Sequence, residues 1–193
     1  MSMKISQPRC SWPTSGDKLY LDYHDFEWGV PVYGDRKIFE FLVLESAQAG
    51  LSWRTILYKR ENFRKAFAGF DPKKVACFTG RDVKKLLQNA GIIRNRMKIE
   101  AAINNAKRFL EVQKEFGTFS KYVWSFVGGK PIRNRWKSIK ELPVLTREAE
   151  ALAKDLKRRG FKFLGPTTIY AHMQATGMVN DHTVDCFRYR QLK

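Results

Sequence analysis

Cysteine and histidine are scarce in this chain, three of each among 193 residues. An odd number of cysteines, with no short spacing between any two, speaks against a disulfide framework and leaves free thiols or metal ligands. No apolar run approaches the length of a membrane span, so no membrane partner is expected. The opening MSMKISQPRCSWP lacks the apolar stretch of a secretory leader, which makes a cytoplasmic location the expectation. Repeats and low-complexity linkers are missing too. Acidic residues are in short supply, 19 Asp plus Glu against 36 Lys plus Arg.

What is present is a globular composition, 44% hydrophobic and 13% aromatic, in a length that suits one domain spanning residues 1–193 with a real core. The net charge of +17 favours a polyanion, and nucleic acid is the commonest one in a cytoplasm. The basic residues are spread along the chain in RDVKKLL, RNRMK, IRNRWK and KDLKRRG, each beside apolar residues. The bland alternative is a solvated surface with surplus charge.

Helical signals dominate, so an all-α fold is predicted. Asp35 is placed to cap a helix running to Gly50, and a second helix spans Trp53 to Ala68. Asp71-Pro72 reads as N-cap and first helical position of a short helix through Cys77. Thr79 to Asn89 follows with a stop at Gly91, then a basic helix from Arg94 to Phe116 and an aromatic one through FSKYVWSFV. Residues 128–143 read as irregular. Thr146 caps REAEALAKDLKRR, which stops at Gly160, and Pro166 starts TTIYAHMQATG. The FKFLG between these two helices makes a hairpin in which Gly165 allows close approach of a partner. Free amides at the start of the second helix suit a phosphate. Lys157, Arg158, Arg159 and Lys162 tilt this reading toward DNA, against an ordinary helix–loop–helix within a core.

Two features carry chemistry. Cys10, His24, His182 and Cys186 offer two thiolates and two imidazoles, a set that suits tetrahedral zinc. The spacing of His182 and Cys186 can place both on one side of a helical turn. With all four positions filled by protein the metal would be structural, joining the two ends of the chain. Each residue alone reads as a buried thiol or a hydrogen-bonded histidine, and His172, which has no partner in sequence, as a core or surface residue. The second feature is Glu45, which continues the apolar stripe of Ile38, Phe41 and Leu42. A carboxylate there is expensive to bury unpaired and should face a pocket, a cation or a hydrogen-bonding partner. Trp53, Tyr20 and Tyr23 are candidates for the walls of such a pocket. The alternative is a glutamate at a frayed helix end, reaching solvent.

The blocks YHDFEWGVP, LESAQAGLSW, AGIIRNRMKIEAAINNA, VWSFV, KRRGFKFLGPTTIYAHMQATG and NDHTVDC strongly resemble the 3-methyladenine DNA glycosylase I family, and the resemblance extends from Arg9 to Cys186. The resemblance implies a fold of the helix-hairpin-helix glycosylase superfamily and a monofunctional enzyme of base excision repair. Such an enzyme acts on double-stranded DNA containing 3-methyladenine and releases the free base, as a monomer associated with the nucleoid. It implies that Cys10, His24, His182 and Cys186 hold one structural zinc per chain. Glu45 matches the catalytic carboxylate that binds the extruded base, Trp53 the aromatic that stacks on it, Tyr23 a tyrosine of the pocket, and Tyr20 a second pocket position. Leu51 reads as a wedge filling the space the base vacates, or as a core leucine. Arg158, Arg159, Lys162 and Gly165 would grip the DNA backbone. The superfamily often carries an aspartate soon after the hairpin; Asp181 is the nearest candidate, or it only orients His182. No lysine is placed by motif as a Schiff-base nucleophile, so strand cleavage is not expected. The GGKPIRNRWKSIKELPV region departs from the family pattern. Two rivals remain: a zinc-clasped module that binds DNA without catalysis, and a zinc hydrolase with an open metal position.

Overall fold

The computed structural model describes residues 7–13 and 16–192; the first six residues, part of the stretch read for a leader, lie outside it. The described residues are mostly helical, as expected. Ten α-helices run in order: α1 Lys18–Phe26, α2 Asp35–Gln48, α3 Trp53–Ala66, α4 Pro72–Ala76, α5 Gly80–Gln88, α6 Arg96–Phe116, α7 Phe119–Ser125, α8 Arg147–Arg158, α9 Pro166–Ala175 and α10 Phe187–Gln191. Eight of these were legible, the short α4 from its Asp71-Pro72 cap and not from a period. The two that were not, α1 and α10, are nine and five residues long, too short for an apolar period to stand out.

The caps explain most boundaries. Asp71 accepts from Lys73 N at 3.0 Å with Pro72 in the first turn, and Thr146 accepts from Ala149 N at 3.3 Å, both as their sequences suggest. Asp35 does something else. It is the first residue of α2, and its carboxylate accepts from Phe119 N at 2.9 Å, Ser120 N at 2.8 Å and Gln113 Nε2 at 2.5 Å. The predicted cap of α2 is therefore a cap of α7, supplied from across the fold. No local pattern could reveal that donor set.

The structure is arranged around α2. Every residue from Ile38 to Ala47 is buried, and the helix packs against α3, α6, α7 and α9. A helix covered all round belongs to a core, not to a surface layer. Phe39 meets Phe109 of α6, which stacks on Phe119 of α7 with ring centroids 4.0 Å apart. His172 of α9 is fully buried with neither ring nitrogen bonded, and burial alone pushes it down to about 3, so it is a neutral core residue.

The only strand pairing among the described residues is a parallel bridge two residues long, Ile132 against Val179 and Arg133 against Asn180. It draws the otherwise irregular 128–143 stretch onto the segment that follows α9. That segment is entered through Gly177 at φ +66°, where an added Cβ would run into the backbone of Val30 and Pro31. The same junction joins Gly29 N to Gln174 O and Val32 N to Thr176 O, each at 3.0 Å. Gly177→Ala should therefore lower unfolding free energy by more than about 1 kcal/mol from the left-handed backbone alone, and the steric clash adds to that. Chemical denaturation should show a midpoint clearly below wild type; an unchanged midpoint would mean that the 29–32 segment is not held against α9.

Candidate functional site

Two buried glutamates on α2 have opposite surroundings. Glu40 receives Arg60 Nε at 2.6 Å and Arg64 Nη2 at 2.9 Å, with Lys37 Nζ at 3.5 Å. Burial alone would raise this carboxyl, but Arg60, Lys37 and Arg64 overcome the effect and hold it below the ordinary value. Glu45 is 4% exposed and has no hydrogen-bonding or ionic partner among the described residues. Burial, with nothing opposing it, pushes its carboxyl up to about 8. The reading of a frayed end reaching solvent is thereby set aside.

Glu45 faces a cavity of about 220 Å³. Tyr20 and Tyr23 reach it from α1, Trp53 from the first position of α3, and Trp12 and Trp28 from the segments flanking α1. Tyr23 and Trp53 lie 5.3 Å apart by ring centroid, and Trp12 meets Tyr20 edge-on at 5.0 Å. The indole nitrogens of Trp12 and Trp53 are buried without a partner, so the cavity carries unsatisfied donors as well as an unsatisfied carboxyl. Tyr23 is pushed well above the usual phenol value by burial and then by Glu45. Gln48, Gln174, Ala171, Ile139 and Leu142 complete the lining. Sequence reading missed these five, and Trp12 and Trp28. Trp12 sits two residues from Cys10 and was open to discovery as part of an aromatic set. Ile139 and Leu142 carry no periodic signal at all.

A wider hollow of about 590 Å³ lies beyond Phe41. Size does not decide in its favour, because Arg60 on its wall is spent on Glu27 at 2.8 and 2.9 Å and on Glu40. Its polar groups satisfy one another, whereas those of the smaller cavity do not.

A shallow groove, lined by Gln48, Leu51, Thr167, Thr168 and Ala171, leads from Glu45 to the start of α9. Leu51 follows the turn at Gly50, φ +77°, and is 41% exposed, so it is not a core leucine. Lys98 of α6 holds this turn by donating to Ala47 O at 2.9 Å and Ala49 O at 2.5 Å. At the far end of the groove, Gly165 precedes Pro166 with no side-chain cap, and a Cβ there would meet nothing within 4 Å. The loop between α8 and α9 is pinned from α6, where Asn105 exchanges two hydrogen bonds with the Lys162 backbone, each at 2.8 Å.

The basic residues of this loop divide. The Arg158 side chain is 70% exposed and Lys162 is exposed. Arg159 is 17% exposed, gives its nitrogens to Asp155 at 2.7 Å and Glu115 at 2.7 and 3.0 Å, and lies over Phe116 and Tyr122. Its fork is bound into the fold, a correction to its reading as a simple phosphate contact. Asp181 is corrected as well. It is 1% exposed, does not line the cavity and makes no bond to the His182 ring; its oxygens accept from Asn134, Trp136, Tyr170 and Gln174.

Cys10, His24, His182 and Cys186 do converge. All four are buried, and their ligand atoms lie within 4.8 Å of one another. His182 Nδ1 is 3.5 Å from each sulfur, and His24 Nε2 is 3.6 Å from Cys186 Sγ. A tetrahedral ion with bonds of about 2.0–2.3 Å has edges of about 3.3–3.8 Å, so the cluster fits a metal ion. The outer nitrogens are fixed: His24 Nδ1 by Asp25 at 2.8 Å, and His182 Nε2 by Trp28 O at 3.0 Å. Asp25 is held in turn by Arg9 at 2.7 Å. A methyl group on Gly29 would press on the His182 ring at 3.1 Å. His182 and Cys186 lie on a turn closed by Cys186 N to Thr183 O at 2.9 Å, not on a helix as their spacing suggested.

Comparison with known proteins agrees with this geometry. A family model described as methyladenine glycosylase matches residues 12–189. The DNA-3-methyladenine glycosylase 1 of Escherichia coli K12 is 50% identical over 181 residues, 94% of this chain and 96% of that one. A crystal structure of a 3-methyladenine DNA glycosylase I superimposes with a TM-score of 0.91 at 50% identity, covering 93% of this chain and 98% of the other. A variant of a 3-methyladenine DNA glycosylase I, crystallised in complex with 3-methyladenine, superimposes with a TM-score of 0.90 at 41% identity, covering 93% and 96%.

The state of Glu45 has a measurable consequence. Its carboxyl titrates near 4.5 in the unfolded chain and about 8 in the folded one. Between these values the unfolded chain has lost a proton that the folded chain keeps, so stability falls as pH rises, by up to about 1.4 kcal/mol per pH unit. Glu45→Gln should flatten that slope and be more stable than wild type at pH 8. Identical pH profiles for the two proteins would show that Glu45 is not an unpaired buried acid.

Proposed function

The chain belongs to the methyladenine glycosylase family and hydrolyses the N-glycosyl bond of 3-methyladenine in DNA, and we propose that the cavity at Glu45 is where the extruded base is held. The observation that carries this reading is the unpartnered Glu45 carboxyl, buried in the wall of an aromatic cavity. Such a group is costly unless a cationic or hydrogen-bonding ligand completes it.

Methylation at N3 places a positive charge on the adenine and weakens its bond to the sugar. When the bond from N9 to C1′ breaks, its electron pair neutralises the ring, water adds to C1′, and a proton leaves to solvent. The leaving base is neutral, so no general acid is required. The protein's task is to take the base from the stack, hold it and support the charge that moves to the sugar. With the cavity empty, Glu45 keeps its proton at neutral pH; a cationic base draws the carboxyl into its ionised form, where it accepts from the exocyclic amine. Trp53 and Tyr23 offer faces to the electron-poor ring, an attraction worth about 1–2 kcal/mol when desolvated. Tyr20 borders the same space. Among the lining residues there is no lysine, which supports hydrolysis without strand cleavage.

The DNA surface follows from the groove. Leu51 projects beside the cavity and serves as the wedge for the vacated stack. The open backbone at Gly165, the free amides of Thr167 and Thr168, and the exposed Arg158 and Lys162 suit phosphates of a duplex, giving affinity without sequence preference. Arg159 supports the loop from within. The continuous core from Ile38 to Val179 supports reading the chain as one domain.

Zinc is the metal this donor set favours, since two thiolates and two imidazoles at tetrahedral separations match its preference. Cys10, His24, His182 and Cys186 would hold it and leave no position open for water, so it would contribute stability and not chemistry. Purified protein should contain about one zinc per chain. Cys186→Ser should lower metal content and melting temperature together while base release, assayed well below the new melting point, largely survives. A folded, metal-free variant with no base release at all would place the metal in the reaction.

The test of the site is Glu45→Gln. Losing one charge-assisted hydrogen bond should weaken binding of free 3-methyladenine by about 1.5–3 kcal/mol, roughly ten- to two-hundred-fold. Affinity for undamaged duplex, set by the loop and its cations, should stay at the wild-type value, and base release should fall without vanishing. Trp53→Ala should split the two affinities in the same way. A Glu45→Gln protein that binds the free base as tightly as wild type would remove the pocket assignment.

A further inference from the structure

The stretch with the weakest local signal, residues 128–143, supplies two of the residues that line the cavity. Beyond the bridge at Ile132–Arg133 the chain reaches the cavity, which Ile139 and Leu142 help to line. Ile139 is 36% exposed and Leu142 half-buried, and neither belongs to the hydrophobic core. Aliphatic side chains left half in water on a cavity wall have surface to give to a ligand.

This strap is not loose. Asn134 N bonds to Asn180 O at 3.3 Å and Val184 N to Trp136 O at 2.9 Å. One oxygen of Asp181 accepts from Asn134 Nδ2 at 2.6 Å and Trp136 Nε1 at 2.8 Å. The other accepts from Tyr170 OH at 2.6 Å and from Gln174 Nε2, a cavity residue, at 2.8 Å. A single buried carboxylate thus fixes the strap and an amide of the cavity wall together.

The cavity is sorted by chemistry. Glu45, 4% exposed, is its buried acid, aromatic rings line it, and the aliphatic residues of the strap, Ile139 at 36% exposed, are its solvent-accessible part. An N3-alkylated adenine has the matching asymmetry. N3 and the amine-bearing C6 are opposite corners of one ring, and N3 lies on the same edge as the bond to the sugar. With the amine at Glu45, the alkyl group points outward to the strap. We infer that Ile139 and Leu142 form the subsite that gauges the size of the N3-alkyl group, with Asp181 as the positioning residue that holds them there. The inference deepens the pocket reading above and rests on it.

The test is calorimetric binding of two free bases, 3-methyladenine and 3-ethyladenine, with melting temperatures recorded beside each variant. Removing aliphatic carbon from the subsite should weaken 3-methyladenine by about fivefold in Leu142→Ala and in Ile139→Ala, about fourfold being the effect of one buried methylene. The ratio of 3-ethyladenine to 3-methyladenine affinity should rise by at least the same factor, because the space vacated admits the longer chain. Leu142→Val should move the ratio in the same direction by less, which covers any folding defect of the alanine variant. Asp181→Asn should also relax the ratio without touching either base, a change that lost stability alone would not produce. Wild-type affinities and an unchanged ratio in Leu142→Ala and Ile139→Ala would overturn the subsite while leaving Glu45 in place. Failure of the wild-type protein to bind free 3-methyladenine would overturn the pocket reading and the subsite with it.

Discussion

An acid without a counter-ion, sunk in the most buried helix of the molecule, is the constraint around which the rest is arranged. Glu45 stands on α2 among ten successive buried residues. Desolvating a carboxyl group opposes folding, and the protein absorbs that cost through the layers of α3, α6, α7 and α9 against the same helix. Five residues earlier, Glu40 shows the ordinary solution, a cage of lysine and arginine. The difference between these two residues is the difference between structure and site. One carboxylate is completed by the protein; the other has no partner within it, and the proposed reading gives it a ligand.

The walls of the cavity come from chain segments far apart in sequence, which makes their relative placement a second requirement. Trp12, Tyr20 and Tyr23 belong to the amino-terminal part, and Ala171 and Gln174 to α9 near the other end. The buried set of Cys10, His24, His182 and Cys186 lies where these parts meet, with Trp12 packed against the His24 ring at 5.2 Å. A metal ion there would lock the amino-terminal aromatics against α9. A metal-ligating set of that kind would tie the two ends of the chain together beside the cavity without lining it. Asp181, next to His182, extends the same linkage to the strap and to Gln174.

The surface around the groove has a division of labour of its own. Arg158, though paired with Asp155, keeps its side chain 70% exposed and Lys162 is exposed too, whereas Arg159 is held inside by Asp155 and Glu115. Equal formal charge therefore does not mean equal availability to a phosphate, and a net charge of +17 overstates what any one face presents. On the proposed reading, affinity for DNA and recognition of the base fall to separate residues on either side of the turn at Leu51, which Lys98 holds at the end of α2.

The sequence by itself determined the helical class, most helix boundaries and the placement of Glu45 on a buried stripe, and it offered Cys10, His24, His182 and Cys186 as candidate ligands that do converge. These depend on local periodicity, on capping residues and on side-chain chemistry that does not change with context. The tertiary structure decided which of several plausible partners each residue has. Asp35 caps α7 and not its own helix, Arg159 turns inward, Asp181 serves the strap and not His182, and Ile139 and Leu142 become cavity walls. Each of those outcomes depends on a contact between segments distant along the chain. Hydrogen-bond geometry and burial are properties of atoms brought together in space, so a pattern read along one strand of sequence carries no record of them.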